Sequence, residues 1–296
     1  MVVPRVSVVI PTLNARSTID ALLGSLEDQT LQPSQVLVID SSSDDETLEI
    51  VGGHPGTEAV VIARSEFNHG LTRHEGVLRT SGEIVCFLTQ DALPMRPDYL
   101  EQLTMAFRDP NVGMSSGRQV ARPDARQFER LVREFNYGDR SFVRTIDDLP
   151  RLGIKTFFAS DACSAYRRTS YLSCGGFSAC ETNEDMLMAA KMIREGMAVA
   201  YAAQARVLHS HDMSLSQQFA RNRQVGRFLA ENREALLGAR EIGEGGRMVR
   251  SVASQLLRER DLRELAAFGA DCTARLLGSR LGRLDVRQRT HRRSDR

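Results

Sequence analysis

Between residues 6 and 91, short runs of β-branched and aliphatic residues, each closed by a polar turn, alternate with stretches of helical spacing. Val6 to Ile10 is such a run, closed by Pro11, and its unbroken apolar character predicts a strand buried on both faces. Ile19, Leu22, Leu23 and Leu26 recur at helical intervals. Gln32–Pro33 marks the exit of that helix, since the residue before proline is pushed out of the α region. Gln35 to Ile39 is a second buried run that stops at Asp40 in the polar loop Ser41-Ser42-Ser43-Asp44-Asp45, with a helical stretch from Glu46. A third strand is expected at Ala59 to Ala63, a helix over roughly Thr72 to Thr80, and a fourth strand at Ile84 to Leu88 that ends in Thr89-Gln90-Asp91. This alternation predicts an α/β fold with a mainly parallel central sheet flanked by helices.

In such sheets the ligand sits beyond the carboxyl ends of the strands, where the loops gather. Three of these ends carry polar chemistry: Pro11-Thr12, Asp40 and Gln90-Asp91. Any one of them alone would pass as a helix cap; at successive strand ends they outline a site. The first turn, Pro-Thr-Leu-Asn-Ala, holds neither G-x-G-x-x-G nor G-K-[ST], which sets aside a Rossmann dehydrogenase and a P-loop enzyme.

Composition narrows the classes further. The chain has 296 residues and a formal net charge of +1, which argues against a protein that covers nucleic-acid phosphates. Five cysteines, with no C-x-x-C pair and no signal peptide ahead of them, read as reduced thiols of a cytoplasmic protein. No stretch approaches the roughly 20 apolar residues needed to span a bilayer, so any membrane association is expected to be peripheral, at the inner face of the plasma membrane.

Val-Ile-Pro-Thr-Leu-Asn-Ala at the start, Val-Ile-Asp-Ser-Ser-Ser-Asp-Asp at 38–45, Phe-Asn-His-Gly at 67–70 and Phe-Leu-Thr-Gln-Asp-Ala at 87–92 resemble glycosyltransferase family 2. Within that family they look most like the rhamnosyltransferases. The resemblance covers about residues 4 to 230 and is most specific from Phe67 to Pro94. It implies a GT-A fold, a nucleotide-diphosphate sugar donor and inversion at the anomeric carbon. It also implies a nucleotide side made of Pro11, Thr12, Asn14, Asp40, Ser42, Asn68, Arg73 and Gln90, with Arg73 facing the diphosphate. Independently of the family, a carboxylate at a strand end suits the imino N–H of a base, and arginine forks onto phosphate oxygens, although a surface arginine would serve no such role.

A departing diphosphate develops negative charge that a divalent cation stabilises, and Asp91 is the natural ligand. The family's usual motif has two aspartates separated by one residue, whereas this chain reads Gln90-Asp91-Ala92. In Val207-Leu208-His209-Ser210-His211-Asp212 the two histidines would face the same side of an extended chain. His209, then His211, are the further candidate ligands, and the mixed set leans to Mn²⁺ without excluding Mg²⁺. Inverting transfer also needs a general base. Thr182-Asn183-Glu184-Asp185 opens an amphipathic helix; acids there could simply complement its positive end, but by resemblance Asp185 is the base and Glu184 a supporting contact. Asp161, in Phe-Phe-Ala-Ser-Asp-Ala-Cys-Ser, is placed on the acceptor side as a contact or substitute base.

The expected organisation is a catalytic domain over 1–212, with a nucleotide half to about 95 and an acceptor half over 96–212, followed by a C-terminal helical region over 213–296. In that region Glu244-Gly245-Gly246 reads as a hinge and Met248 to Leu284 as one or two helices, and five arginines crowd into 287–296. Packing against the catalytic domain or a second subunit, as in a homodimer, and docking on a membrane both remain open. The expected reaction moves L-rhamnose from dTDP-L-rhamnose onto a hydroxyl of a cell-surface polysaccharide or its lipid-linked precursor. A UDP-sugar-dependent hexosyl- or hexosaminyltransferase and a non-catalytic nucleotide-sugar-binding subunit are the alternatives.

Overall fold

The computed structural model describes residues 4–210, 213–239 and 243–294. The chain gathers into two compact units, one running up to Val120 and including Tyr137–Arg151 and Lys155–His209, the other made of Ala121–Asn136, Leu152–Ile154 and the chain from Ser210.

In chain order the elements are β1 (Val6–Thr12), α1 (Ile19–Glu27), β2 (Gln35–Asp40), α2 (Thr47–Gly52), β3 (Thr57–Val61), α3 (His69–Arg79), β4 (Ile84–Leu88), β5 (Leu93–Pro94), α4 (Tyr99–Thr104) and β6 (Val112–Val120). Then come α5 (Gln127–Asn136), β7 (Phe142–Arg144), α6 (Leu149–Leu152), β8 (Cys163–Arg167), α7 (Arg168–Ser173), α8 (Glu184–Arg194), β9 (Ala198–Leu208), α9 (Leu215–Glu231), α10 (Glu244–Arg258) and α11 (Leu262–Ser294).

The first unit is built on one sheet of order β3-β2-β1-β4-β8-β6-β9-β5, with β7 paired to β9. The four strands read from sequence pair parallel, Val8 opposite Val36 and Val8 opposite Cys86. Beyond β4 the expectation of a mainly parallel sheet is corrected to a mixed one. β8 runs antiparallel to both β4 and β6, while β6 and β9 are parallel. The chain reaches β8 from β6 through a long excursion that includes α5, β7 and α6, a connection that can bring a strand in from either end of the sheet, so β8 need not run the same way as its neighbours. That antiparallel strand matters for the site, because its first residue then lies at the same edge as the last residues of β4 and β6.

Helix α1 buries Ile19, Leu22, Leu23 and Leu26 against the β1–β2–β4 face. Each such side chain contributes about 1.5–3 kcal/mol of apolar burial. On α3, Gly76 lies so close to Val9 that a Cβ would run into its side chain.

The second unit is helical. Phe128, Leu131 and Val132 of α5 pack with Val252, Leu256 and Phe268 of α10 and α11. Glu264 accepts from the Arg126 guanidinium at 2.8 Å and from the Phe128 N–H at 3.2 Å. Helices α9 and α11 cross at contact distance through glycines: a Cβ at Gly278 or Gly282 would strike the carbonyl of Phe219 or Arg223, and one at Gly226 that of Ser279. The expected hinge at Glu244-Gly245-Gly246 instead forms the first turn of α10, where the N–H groups lack intrahelical partners in any case and glycine weakens the ladder least. The five cysteines are free thiols. Among the described residues no helix is long and apolar enough to cross a membrane.

Candidate active site

The residues singled out at the strand ends of the first unit lie along one edge of its sheet. At the end of β2, Asp40 is fully buried and accepts from Thr12 Oγ1 at 2.8 Å, Ser43 N at 2.7 Å and Ser43 Oγ at 2.6 Å. Three of its roughly four acceptor positions are therefore used within the fold. Asn14 and Ser42 both take the left-handed conformation, at φ 50° and 59°, where asparagine is among the residues most easily held. Asn14 N donates to Ser43 Oγ and Asn14 Oδ1 accepts from Asp44 N, while Ser42 Oγ donates to the Ile62 carbonyl. Pro11 pairs with Ile39 inside β1 and β2. Gln90 grips the backbone of Leu13 from both sides, accepting from its N–H at 2.8 Å and donating to its carbonyl at 3.1 Å.

At the ends of β4 and β9, Asp91 Oδ1 lies 3.5 Å from His209 Nε2. His209 Nδ1 sits 2.9 Å from Gln119 Oε1 at the end of β6. An amide oxygen only accepts, so Nδ1 donates to it and Nε2 is the ring nitrogen left facing Asp91. Gln119 is held in turn by donating from Nε2 to Ser160 Oγ at 2.7 Å. Two electron-pair donors facing each other across 3.5 Å are a fitting pair of ligands for a cation, and the hydrogen bond behind the imidazole is the usual device for orienting a metal-binding histidine. Among the described residues no group of three or more His, Cys, Asp or Glu is gathered to hold a metal ion. His211 lies outside the described residues.

One residue beyond Ser160, the Asp161 N–H donates to Asp185 Oδ2 at 3.1 Å. Asp161 Oδ1 accepts from Ser164 Oγ at 2.6 Å and Tyr166 OH at 2.7 Å. Asp185 opens α8 after Asn183, itself left-handed at φ 60°. Burial first, then the charges of Asp161 and Glu184, push the Asp185 carboxyl well above the usual carboxylate range. Asp161 rises to about 6, through burial and Glu184, against the lowering influence of Arg73 and the two hydroxyl donors. Arg73 is 4 % exposed. Its Nη1 meets Glu184 Oε1 at 2.9 Å and its Nε faces Asp161 Oδ2 at 3.9 Å. Arg73 thus sets a positive charge beside three enclosed acids, which need an internal cation.

Asn68 caps α3, its Oδ1 accepting from Leu71 N at 3.1 Å and from Cys180 N at 3.0 Å. Gly70 follows because a Cβ there would strike the Ser178 carbonyl. The Phe-Asn-His-Gly motif thereby ties α3 to the segment leading into Asp185. Thr89 N reaches the Ala162 carbonyl at 3.4 Å, so the 160–162 turn joins the Asp91 and Asp185 groups. Gln119, Ser160 and Tyr166 were not legible as site residues; the signal they carried was a polar side chain at a buried strand or turn position.

The mixed α/β sheet, with carboxylates and an Asp–His pair gathered along one edge, is that of the GT-A fold. Residues 7–174 match glycosyl transferase family 2, and the chain belongs to that family. It is 39 % identical over 261 residues to the O-antigen chain rhamnosyltransferase WbaN of Salmonella anatum, covering 86 % of this chain and 82 % of that one. It is 38 % identical over 259 residues to RfbN, also an O-antigen chain rhamnosyltransferase, of Salmonella typhimurium strain LT2, with the same coverage. Among solved structures, the mannosyltransferase PcManGT of Pyrobaculum calidifontis, crystallised with GDP-Man and Mn²⁺, superposes with a TM-score of 0.63 at 19 % identity over 96 % of this chain and 86 % of that one.

Proposed function

We propose that this enzyme is an inverting rhamnosyltransferase that moves L-rhamnose from dTDP-L-rhamnose onto a hydroxyl of a cell-surface polysaccharide or its lipid-linked precursor. The rhamnosyl and polysaccharide assignments rest on the two Salmonella relatives. The chemistry rests on one observation, the Asp161–Asp185 hydrogen bond set one residue from the Ser160 support of the Gln119–His209–Asp91 line.

Asp185 is the general base. As the acceptor oxygen attacks the anomeric carbon, its proton passes to the Asp185 carboxylate and the bond to the nucleoside diphosphate breaks. A carboxyl whose proton affinity is raised by burial and by neighbouring charges holds that proton better than an ordinary one. Asp161 lies on the acceptor side, and Arg73 with Glu184 balances the enclosed charge. Asp91 and His209 would hold a divalent cation, Mn²⁺ or Mg²⁺, which would supply neutralisation of the diphosphate charge. Thr12, Asn14, Asp40 and Ser42, with Pro11 and Gln90 behind them, shape the nucleotide pocket.

Calorimetric titration of the purified chain with dTDP and with UDP, in the presence of Mn²⁺, tests the donor reading. Tighter dTDP binding together with rhamnosyl transfer from dTDP-L-rhamnose is expected; a clear preference for UDP sinks it.

A further inference from the structure

Helix α11 is the longest element of the chain, running Leu262–Ser294, and its two sides differ in kind. Its inward side carries the acids. Glu264 is taken by Arg126, Asp271 by Arg275 and Gln218, and Asp285 by Arg223. Gly278 and Gly282 bring this side against α9. The outward side is leucine and arginine: Leu276, Leu277, Leu281 and Leu284 are 42–51 % exposed, with Arg280 and Arg287 exposed among them. Leu277, Arg280, Leu281, Leu284 and Arg287 follow steps of three and four, so they form one stripe. Among the described residues, no exposed position between 262 and 288 is Asp or Glu. At 1.5 Å per residue the stripe from Leu277 to Arg287 is about 15 Å long.

We propose that this face of α11 docks on an anionic lipid surface. Three leucines in a single stripe, with Leu276 exposed beside them, exceed what scattered surface hydrophobes account for, and such a stripe asks for an apolar partner. The arginines choose which one. In a two-fold contact between copies of this chain the stripe would meet itself, setting arginine against arginine with no acid on the face to relieve them. An anionic bilayer accepts both halves of the pattern, with leucines seated at the acyl boundary and guanidinium groups level with the phosphates. The sequence continues the same charge, with further arginines at 289, 292, 293 and 296. The proposal does not depend on the donor or the sugar, because binding is read without either.

The test is co-sedimentation of the full chain with vesicles of phosphatidylcholine alone and of phosphatidylcholine mixed with phosphatidylglycerol. Binding to the anionic vesicles, weak binding to the neutral ones and loss of binding at high salt are expected. Replacing Arg280 and Arg287 together by Gln should weaken anionic binding about twenty- to thirty-fold, near fivefold for each charge. Replacing Leu277, Leu281 and Leu284 by Ser should reduce it to background at an unchanged circular-dichroism melting curve. If the leucine variant melts early, the arginine pair, which is wholly at the surface, carries the test alone. Equal binding to both kinds of vesicle, no binding to either, or binding indifferent to the arginine change overturns the proposal. So does a parent protein that self-associates and becomes monomeric in the leucine variant without ever sedimenting with lipid, since the face would then belong to a second copy.

Discussion

The backbone N–H of Asp161 donates to the carboxylate of Asp185 at 3.1 Å, although the two residues arrive from a turn before β8 and from the first turn of α8. This bond holds one Asp185 oxygen in place while both carboxyl groups remain in the same enclosed space, so their ionisations depend on each other.

Replacing Asp185 by Asn should lower kcat by roughly 10²–10⁴, the usual contribution of a positioned base, while the affinity for dTDP stays within a few-fold of the parent. Single-turnover transfer and nucleotide titration read the two quantities. Transfer surviving at the parental rate would remove Asp185 from the role of base.

The acid limb of the rate profile should lie well above that of an ordinary carboxylate, because burial and the neighbouring charges raise both Asp185 and Asp161. Asp161→Asn deletes a like charge and should move the limb to lower pH. The same residue sets a stability slope. Its carboxyl rises from 3.8 to about 6 in the folded state, so the folded chain binds more protons than the unfolded one in that window. Stability contributed by Asp161 is then full below the lower value and is lost as pH rises through the upper one. Melting temperatures across this range should fall for the parent relative to Asp161→Asn; a parent that gains on the variant as pH rises contradicts the assignment.

Arg73→Met should destabilise the fold by about 3–5 kcal/mol, since it strands buried carboxylates without their cation. Adding Glu184→Gln to that variant should recover part of the loss. Denaturant unfolding of the two singles and the double closes the cycle, and strictly additive losses would show that the 2.9 Å contact carries no coupling.

His209→Ala and Asp91→Asn should each abolish measurable Mn²⁺ binding in the presence of dTDP. Gln119→Leu, which leaves the imidazole in place but removes the group that orients it, should weaken binding about 10–100-fold. Electron paramagnetic resonance of free Mn²⁺ measures all three.

The buried strands β1, β2 and β4 were readable because unbroken aliphatic runs admit few alternatives, and the motifs at their ends named Thr12, Asp40 and Asp91 correctly as edge residues. Where β8 runs was not readable: Cys163–Arg167 is short and mixed in character, and the long connection before it, through α5, β7 and α6, fixes no direction. Gln119 escaped for a related reason, since a glutamine in a strand declares its purpose only when the partner 90 residues away is known. Arg73 was legible as important but its direction was not. Local spacing puts it on the first turns of α3, while its carboxylate neighbours come from the turn before β8 and from α8, which no helical periodicity encodes.

Gln90 stands beside Asp91, and its side chain bridges both backbone groups of Leu13. A neutral amide cannot pull a second cation or repel a phosphate. It can, however, fasten the first loop to the fourth strand before any nucleotide enters. The enclosure that greets the donor is on this account rigid from the outset, and selectivity among sugars should depend more on its fixed outline than on closure around the guest.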